Sequence, residues 1–231
     1  MSTHAIQDPT NISDRIWNYA GVLRDDGVGY GDYLEQLTYL IFLKLAYEFS
    51  QKPGSQFAHI PEEYAWPTLT APGMTGAALE TQYVTILQKL GERTDIIGNI
   101  FTKAQNRIQD PAKLARVIRL VDAEEWSTMG QDIKGEIYEG LLRRNAEDVK
   151  SGAGQYFTPR PLIRAIVACV DPQPNRTICD PAAGTGGFLL AAAKHIESRT
   201  LDGDAARFLK ERTFYGNEIV ANTRHLCLMN M

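Results

Sequence analysis

The stretch at residues 177–193 constrains the fold more than any other part of the chain. Residues 177–179 are β-branched or apolar and predict a short interior strand, which ends at Asp180 because the following proline cannot donate to a sheet ladder. Residues 182–187 contain three glycines and predict a turn with a bare backbone. Residues 188–197 are rich in leucine and alanine and predict a helix. Strand, turn and helix in this order are typical of nucleotide-binding α/β folds.

The turn narrows the kind of ligand that such a fold would bind. The dinucleotide fingerprint requires a third glycine at the position of Leu189, so binding of NAD is disfavoured. A phosphate-binding P-loop is excluded because no Lys-Ser or Lys-Thr pair follows the glycines. The first helical N–H groups favour an anionic group, and the Asp180 carboxylate can accept hydrogen bonds from a ligand amine. Taken alone, the turn also fits an ordinary connection between a strand and a helix.

A second acidic residue follows a second predicted strand. Residues 214–218 predict a strand that ends at Glu218. In sheets of this kind, an acid at the end of the second strand hydrogen-bonds ribose hydroxyls. Glu218 lies further from the turn than the usual spacing of about 20 residues, and a helix with a polar link at residues 200–204 accounts for the extra length. The alternative is a solvated carboxylate at the end of a strand.

An aromatic element precedes the first strand, at residues 152–159. Thr158 is predicted to be a helix N-cap and Pro159 the first helical residue. Tyr156 and Phe157 could stack on a base or cap a ligand, or could form a hydrophobic staple at the start of the helix. The predicted helix carries four apolar residues: Leu162, Ile163, Ile166 and Val167.

Together these elements resemble the modification subunit of type I restriction-modification systems, an adenine-specific DNA methyltransferase. The family usually has cysteine where Ala183 stands. The resemblance implies an α-helical N-terminal domain at residues 1–150. It implies that residues 151–231 are the first part of an α/β Rossmann-like methyltransferase domain dependent on S-adenosylmethionine, ending after about two strands. The residues that it implies for cofactor binding are Gln155, Tyr156, Phe157, Thr158, Asp180, Pro181, Ala182, Gly184, Thr185, Gly186, Gly187, Phe188 and Glu218.

The resemblance does not extend to the site for the target base. The family holds adenine with an Asn-Pro-Pro-aromatic motif, and neither Asn-Pro-Pro nor Asp-Pro-Pro occurs in this sequence. We therefore predict no catalytic residue and expect an N-terminal part with a cofactor half-site that is inactive alone. Two alternatives are a non-enzymatic, truncated assembly module that binds the specificity subunit and, less favoured, a nicotinamide-dependent oxidoreductase. The implied partners are DNA, the specificity subunit and the restriction subunit, with two modification subunits per specificity subunit.

Composition limits the location and the metal chemistry of the protein. A net charge of -4 argues against binding DNA by bulk charge, so any DNA contact is local or shared. No apolar signal core opens the chain, and a cytoplasmic protein outside the membrane is expected. The three cysteines fit no metal spacing and are predicted to pack as small apolar groups: Cys169, Cys179 and Cys227. The histidines are far apart and predict no metal site or nucleophile triad: His4, His59, His195 and His225.

The region before the aromatic element predicts helices. They cover residues 11–23, 32–50, 77–90, a segment that begins at Asp110-Pro111, and 131–149, with a proline-rich loop at 51–76. The helix at 32–50 is apolar nearly all round, which predicts a buried helix, but its charged residues exclude a membrane span. A further helix is predicted at residues 222–231. Basic residues around the join predict a solvated helix face or, alternatively, a phosphate-facing ridge: Arg143, Arg144, Lys150, Arg160 and Arg164.

Overall fold

The computed structural model describes residues 30–53, 59–128 and 158–231 of the 231-residue chain. The chain divides into two compact units, Met1–Asn145 and Ala146–Met231. The helices predicted at residues 11–23 and 131–149 lie outside the described residues. The predicted domain boundary at residue 150 also lies outside them and stays a prediction.

The first unit is helical. Its helices are α1 (Tyr30–Ser50), α2 (Pro67–Thr70), α3 (Gly76–Gly91), α4 (Ile96–Ile100) and α5 (Pro111–Asp122), with 3₁₀ turns at Glu62–Tyr64 and Trp126–Thr128. Helix α1 packs against α5 and the second 3₁₀ turn, while α3 packs against α4 and α5. The core of this unit therefore lies between α1, α3 and α5.

Helix α1 is buried on all sides along its middle, as its apolar sequence predicts. The eight consecutive side chains at residues 36–43 are all buried. The polar member Gln36 is satisfied within the core, because its Nε2 donates to the Gln105 carbonyl (2.8 Å) and its Oε1 accepts from the Tyr83 hydroxyl (3.2 Å). Such pairing removes the cost of burying an amide.

The periodic patterns of α3 and α5 are confirmed. Asp110 caps α5 through a hydrogen bond from the Ala112 N–H to Oδ1 (2.8 Å), and Pro111 occupies the first turn. Every apolar residue predicted to face inward is buried: Leu79, Tyr83, Ile86, Leu87 and Leu90 in α3, and Leu114, Val117, Ile118 and Val121 in α5. The helical period alone was sufficient to predict the buried residues, because both helices pack against other elements along their apolar faces.

The predicted loop at residues 51–76 contains more structure than expected. It includes α2 and a 3₁₀ turn, and Trp66 from this segment is buried. The Trp66 Nε1–H and the Lys44 ammonium both donate to Asp122 Oδ1, each at 2.7 Å. Burial raises the pKa of the Asp122 carboxyl, but these two hydrogen bonds outweigh it and the net shift is downward. The segment is therefore fastened to α1 and α5.

The second unit contains a small parallel sheet with helices. Its elements are α6 (Arg160–Val170), β1 (Ile178–Asp180), α7 (Gly187–Glu197), α8 (Gly203–Arg212), β2 (Phe214–Gly216) and α9 (Ala221–Asn230). The strands pair in parallel, with Ile178 opposite Phe214, Cys179 opposite Tyr215 and Asp180 opposite Gly216. Both α7 and α8 lie in the crossover, and α6 packs on α7.

This unit confirms the strand, turn and helix order but shifts some bounds. Strand β1 is one residue later than predicted, and β2 ends two residues before Glu218. Helix α8 was not predicted as a separate element. It begins after Asp202, whose carboxylate accepts a hydrogen bond from the Ala205 N–H (2.7 Å). Residues 200–202 of the predicted link have no regular structure, and its last two residues are the first two of α8.

The predicted start of α6 is wrong. Pro159, not Thr158, is the N-cap, no side chain caps the helix, and Pro161 lies in the first turn. The Pro159 carbonyl accepts the first helical bond, from the Ile163 N–H (3.0 Å). Pro161 has no N–H, so the first turn has one N–H group fewer that needs a cap. Of the basic residues at the join, Arg160 is half-buried and Arg164 exposed, and the other three lie outside the described residues.

The cysteine prediction is wrong for two of the three residues. Cys169 and Cys179 are exposed, and only Cys227 is half-buried. Cys179 is the middle residue of β1, and its register partner Tyr215 is also exposed, so one face of the two-stranded sheet is open. No helix among residues 30–53, 59–128 and 158–231 is long and apolar enough to cross a bilayer.

Candidate functional site

The turn after β1 is fixed by its own backbone. One oxygen of the Asp180 carboxylate accepts from the Ala182 N–H (3.0 Å), and the Gly186 N–H donates to the Ala183 carbonyl (2.8 Å). Gly184 (φ +55°) and Gly186 (φ +82°) adopt left-handed conformations, which residues with a Cβ rarely adopt. Gly186 is also the N-cap of α7. The turn therefore leads directly into the unpaired N–H groups of a helix start.

The segment after β2 runs alongside this turn. The Asn217 N–H donates to the Asp180 carbonyl (3.0 Å), and the Asn217 carbonyl accepts from the Ala183 N–H (2.8 Å). A Cβ placed on Gly216 would lie 3.1 Å from the Ala183 Cβ, so the two segments are in close contact. Because the strands are parallel, their carboxyl ends share one edge, and the turn and the segment leading to Glu218 meet there.

The two acidic residues act on a common neighbour. Asp180 and Glu218 are both half-buried, and Oε1 of Glu218 accepts from the Val220 N–H (2.7 Å). Burial, together with the negative charges of the Asp180 and Glu218 carboxylates, raises the pKa of the Cys227 thiol to about 11. Both carboxylates are therefore close enough to the Cys227 thiol to act on its pKa.

Helix α9 packs against the turn, a contact that the sequence analysis did not predict. A Cβ on Gly186 would lie 3.0 Å from the Cys227 Sγ and 3.8 Å from the Met231 Sδ. The Asn230 side-chain amide donates to the Thr185 carbonyl (2.9 Å). The helix was predicted, but its contacts were not. The four-residue spacing of Cys227 and Met231, which places them on one helical face, was the available signal.

The structure places most of the predicted cofactor residues at this edge. Pro181 and Ala182 are exposed, Gly184 and Phe188 are half-buried, and the remaining turn residues are buried: Thr185, Gly186 and Gly187. Thr158 is half-buried and precedes α6, which packs on α7. Gln155, Tyr156 and Phe157 lie outside the described residues. The turn and the Glu218 segment are thus brought together, while the assignment of these residues to a cofactor stays a prediction.

Comparison with known proteins gives the same class for both units. Residues 12–121 match the family model described as HsdM N-terminal domain, and residues 129–231 match the one described as N-6 DNA Methylase. The chain is 38% identical to the methylase subunit of the type I restriction enzyme StySJI from Salmonella typhimurium, over 94% of this chain and 42% of that subunit. By these matches, the second unit belongs to the class of the N-6 DNA methylases.

Two solved structures share the fold. A modification subunit from Vibrio vulnificus YJ016 matches with a TM-score of 0.75 and 24% identity, over 99% of this chain and 54% of that one. A chain from a structure of complex assembly and conformational transition in the type I R-M system matches with a TM-score of 0.70 and 29% identity, over 97% of this chain and 48% of that one. The chain belongs to the family of type I restriction-modification methylase subunits. It spans about half the length of the relatives it matches.

Proposed function

We propose that this chain provides the cofactor half of an S-adenosylmethionine-dependent DNA adenine-N6 methyltransferase, the modification subunit of a type I restriction-modification system. The observation that carries the proposal is the joining of the glycine turn to the end of β2 through both polar backbone atoms of Asn217. This arrangement places a bare backbone, a helix start and two carboxylates at one sheet edge, where α/β folds bind nucleotides.

The residues present fit the parts of the cofactor. A Cβ on Gly184 would meet nothing within 4 Å, so a ligand has room to approach the turn backbone. The start of α7 suits the carboxylate of the methionine part, and the Asp180 carboxylate suits its amine. The Glu218 carboxylate suits the ribose hydroxyls, and Tyr156 and Phe157 are assigned to the base.

The chemistry of methyl transfer requires little from these residues beyond binding and orientation. S-adenosylmethionine, when bound, supplies a methyl group on a good leaving group. The protein must then hold the adenine amine in line with it. These 231 residues contain no Asn-Pro-Pro motif for the adenine. We therefore propose that the chain by itself binds the cofactor and does not methylate DNA, and transfer to adenine by this chain alone would contradict this.

The partners follow from the family. We propose that the chain acts in the cytoplasm in a complex with DNA, a specificity subunit and a restriction subunit, with two modification subunits per specificity subunit. Similarity to a chain from a structure of type I complex assembly supports this proposal.

A non-enzymatic assembly module is the second candidate function. Leu162, Ile166 and Val170 recur every four residues on α6 and are all exposed, although the adjacent apolar residues Ile163 and Val167 are buried. A helix with an exposed apolar stripe fits a contact with another protein. Under this alternative the glycine turn is an ordinary connection and binds no nucleoside.

Calorimetry on the whole chain separates these functions. We expect binding of S-adenosylmethionine and not of NAD, and Glu218→Ala should weaken it by about 1–3 kcal/mol, the usual loss for a hydrogen bond to a charged group. Glu211→Ala, at an exposed position of α8, is the matched control and should leave affinity unchanged. A folded chain that binds neither ligand would favour the assembly module, and binding of NAD alone would favour the oxidoreductase.

A further inference from the structure

The last turn of α9 contacts the glycine turn at a single peptide group. Asn230 Nδ2 donates to the Thr185 carbonyl (2.9 Å) across 45 residues of sequence. The Cys227 Sγ and the Met231 side chain lie against the next residue, Gly186, where a Cβ would be 3.0 Å from the sulfur of Cys227, a tight contact. Thr185 is buried, so its carbonyl depends on partners from within the protein.

The peptide between Thr185 and Gly186 is hydrogen-bonded at both of its polar atoms. Its N–H, from Gly186, donates to the Ala183 carbonyl within the turn (2.8 Å), and its C=O accepts from Asn230. The first bond is local and can form in an isolated turn. The second comes from the helix that follows β2, so it ties the turn to the part of the chain that carries Glu218.

The orientation of this peptide affects which backbone groups of the turn face a ligand. Gly186 adopts φ +82° and is the N-cap of α7, so the preceding peptide lies directly at the helix start, next to its unpaired N–H groups. A glycine tolerates both signs of φ at similar cost, and the sequence alone would allow this peptide to rotate. A fixed donor on the carbonyl removes that freedom. Asn230 is the donor that the structure provides.

We infer that Asn230 is a positioning residue, which holds the Thr185–Gly186 peptide in the orientation that binds S-adenosylmethionine. The identity of the ligand rests on the proposed function, whereas the hold on the turn rests on the hydrogen bond itself. Asn230 contacts the turn and is not a catalytic residue. It acts on the cofactor only through the turn.

The test compares three variants of the whole chain. Asn230→Leu removes the donated N–H and keeps the branched shape of the side chain, Asn230→Gln keeps an amide one methylene further out, and Arg224→Leu places the same new side chain at an exposed position of α9. Affinity for S-adenosylmethionine is measured by calorimetry. The Thr185 carbonyl carbon and Gly186 amide resonances are measured by NMR without ligand, because they report on the turn whether or not the cofactor binds.

We expect Asn230→Leu to weaken binding by about 3- to 10-fold, the equivalent of one net hydrogen bond, and to move both resonances. Asn230→Gln should restore part of both effects, and Arg224→Leu should change neither. Unmoved resonances in Asn230→Leu would overturn the inference, with or without a loss of affinity. Moved resonances with unchanged affinity would overturn its link to the cofactor.

Two outcomes need a second measurement. If the unmodified chain binds no S-adenosylmethionine, the proposed function fails, and the resonances alone then decide whether Asn230 positions the turn. If Asn230→Leu does not fold, Asn230→Asp replaces it, since the carboxylate keeps the shape of the side chain and cannot donate. The same shifts are expected in Asn230→Asp, and their absence would count against the inference.

Discussion

The two units differ in what surrounds their apolar residues. In the first unit, the predicted apolar faces of α3 and α5 are buried and α1 is buried all round along its middle, while Ile96 of α4 is exposed. In the second unit, apolar side chains remain exposed on α6, on β2 and after it: Leu162, Ile166, Val170, Tyr215, Ile219 and Val220. The first unit thus contains a partner for each of these helices, whereas the second exposes apolar surface at the sheet and at α6.

Polar groups follow the same division. In the first unit they stabilise the core: Tyr39 donates to Glu35 (2.7 Å), and Asp122 accepts from Trp66 and Lys44. In the second unit, the hydrogen bonds made by Asn217 and Asn230 hold a turn in shape rather than joining helices. The comparison shows that the polar groups of the first unit stabilise a packed core, whereas Asn217 and Asn230 of the second unit fix the backbone of the turn at the candidate site.

The largest expected effect comes from a pair of leucines, one from each unit. Leu87→Ala removes a fully buried side chain of α3 and should destabilise the chain by about 2–5 kcal/mol, since it leaves a cavity. Leu162→Ala acts on a side chain that is 51% exposed and should change stability by no more than about 0.5 kcal/mol. Denaturant unfolding followed by circular dichroism measures both.

The same experiment can contradict the difference in packing between the two units. All three tryptophans precede residue 129, so their fluorescence follows the first unit alone and should detect Leu87→Ala. A loss at Leu162→Ala as large as that at Leu87→Ala would show that the α6 stripe is covered in solution. The second unit would then be as well packed as the first.

The next effect concerns the two left-handed glycines of the turn. Gly184→Ala should cost about 1–2 kcal/mol from backbone strain alone, because no atom lies within 4 Å of the new Cβ. Gly186→Ala should cost more, because its Cβ would also meet the Cys227 Sγ at 3.0 Å. The measurement is unfolding of the second unit, followed by hydrogen exchange of its amides.

A double variant isolates the steric part of this effect. Cys227→Ala removes the sulfur that opposes the new Cβ, so it should recover part of the loss in Gly186→Ala and none of the loss in Gly184→Ala. Equal costs for the two glycine variants would mean that α9 does not press on the turn. That result would weaken the contrast between a packed core and a shaped site.

The sequence predicted those features that depend on neighbours in the chain. Capping at Asp110, the apolar faces of α3 and α5, and the turn after β1 are set by local chemistry and by period. Burial along α6 could not be predicted in the same way. Period identifies an apolar face but not what covers it, so Ile163 is buried while Leu162 is exposed.

The candidate site shows the same limit. The turn and Glu218 could be found from composition at the ends of strands, and the parallel pairing of β1 and β2 brings their segments together. The contacts of Cys227 and Asn230 arise only when α9 folds back over the turn, a tertiary event without a local signature. The prediction that Cys179 is packed in the interior was wrong for a related reason. A strand residue is buried only if another element packs on its face of the sheet.

The smallest expected effect is a dependence of stability on alkaline pH that belongs to the second unit. Burial first, and then the charges of Asp180 and Glu218, raise the pKa of the Cys227 thiol to about 11, above the ordinary value of about 8.5 in an unfolded chain. Below about pH 8.5 the thiol is protonated in both states and its contribution is fully present. As the pH rises toward 11, only the unfolded chain releases the proton, so stability falls.

The dependence of stability on pH should stay well below the one-proton limit of about 1.4 kcal/mol per pH unit, since Cys227 is only half-buried. Between pH 8 and 10, unfolding of Cys227→Ala should therefore depend less on pH than unfolding of the unmodified chain, whereas Cys169→Ala, at an exposed cysteine, should not differ from it. Identical slopes in all three proteins would show that the thiol is not held beside the two carboxylates.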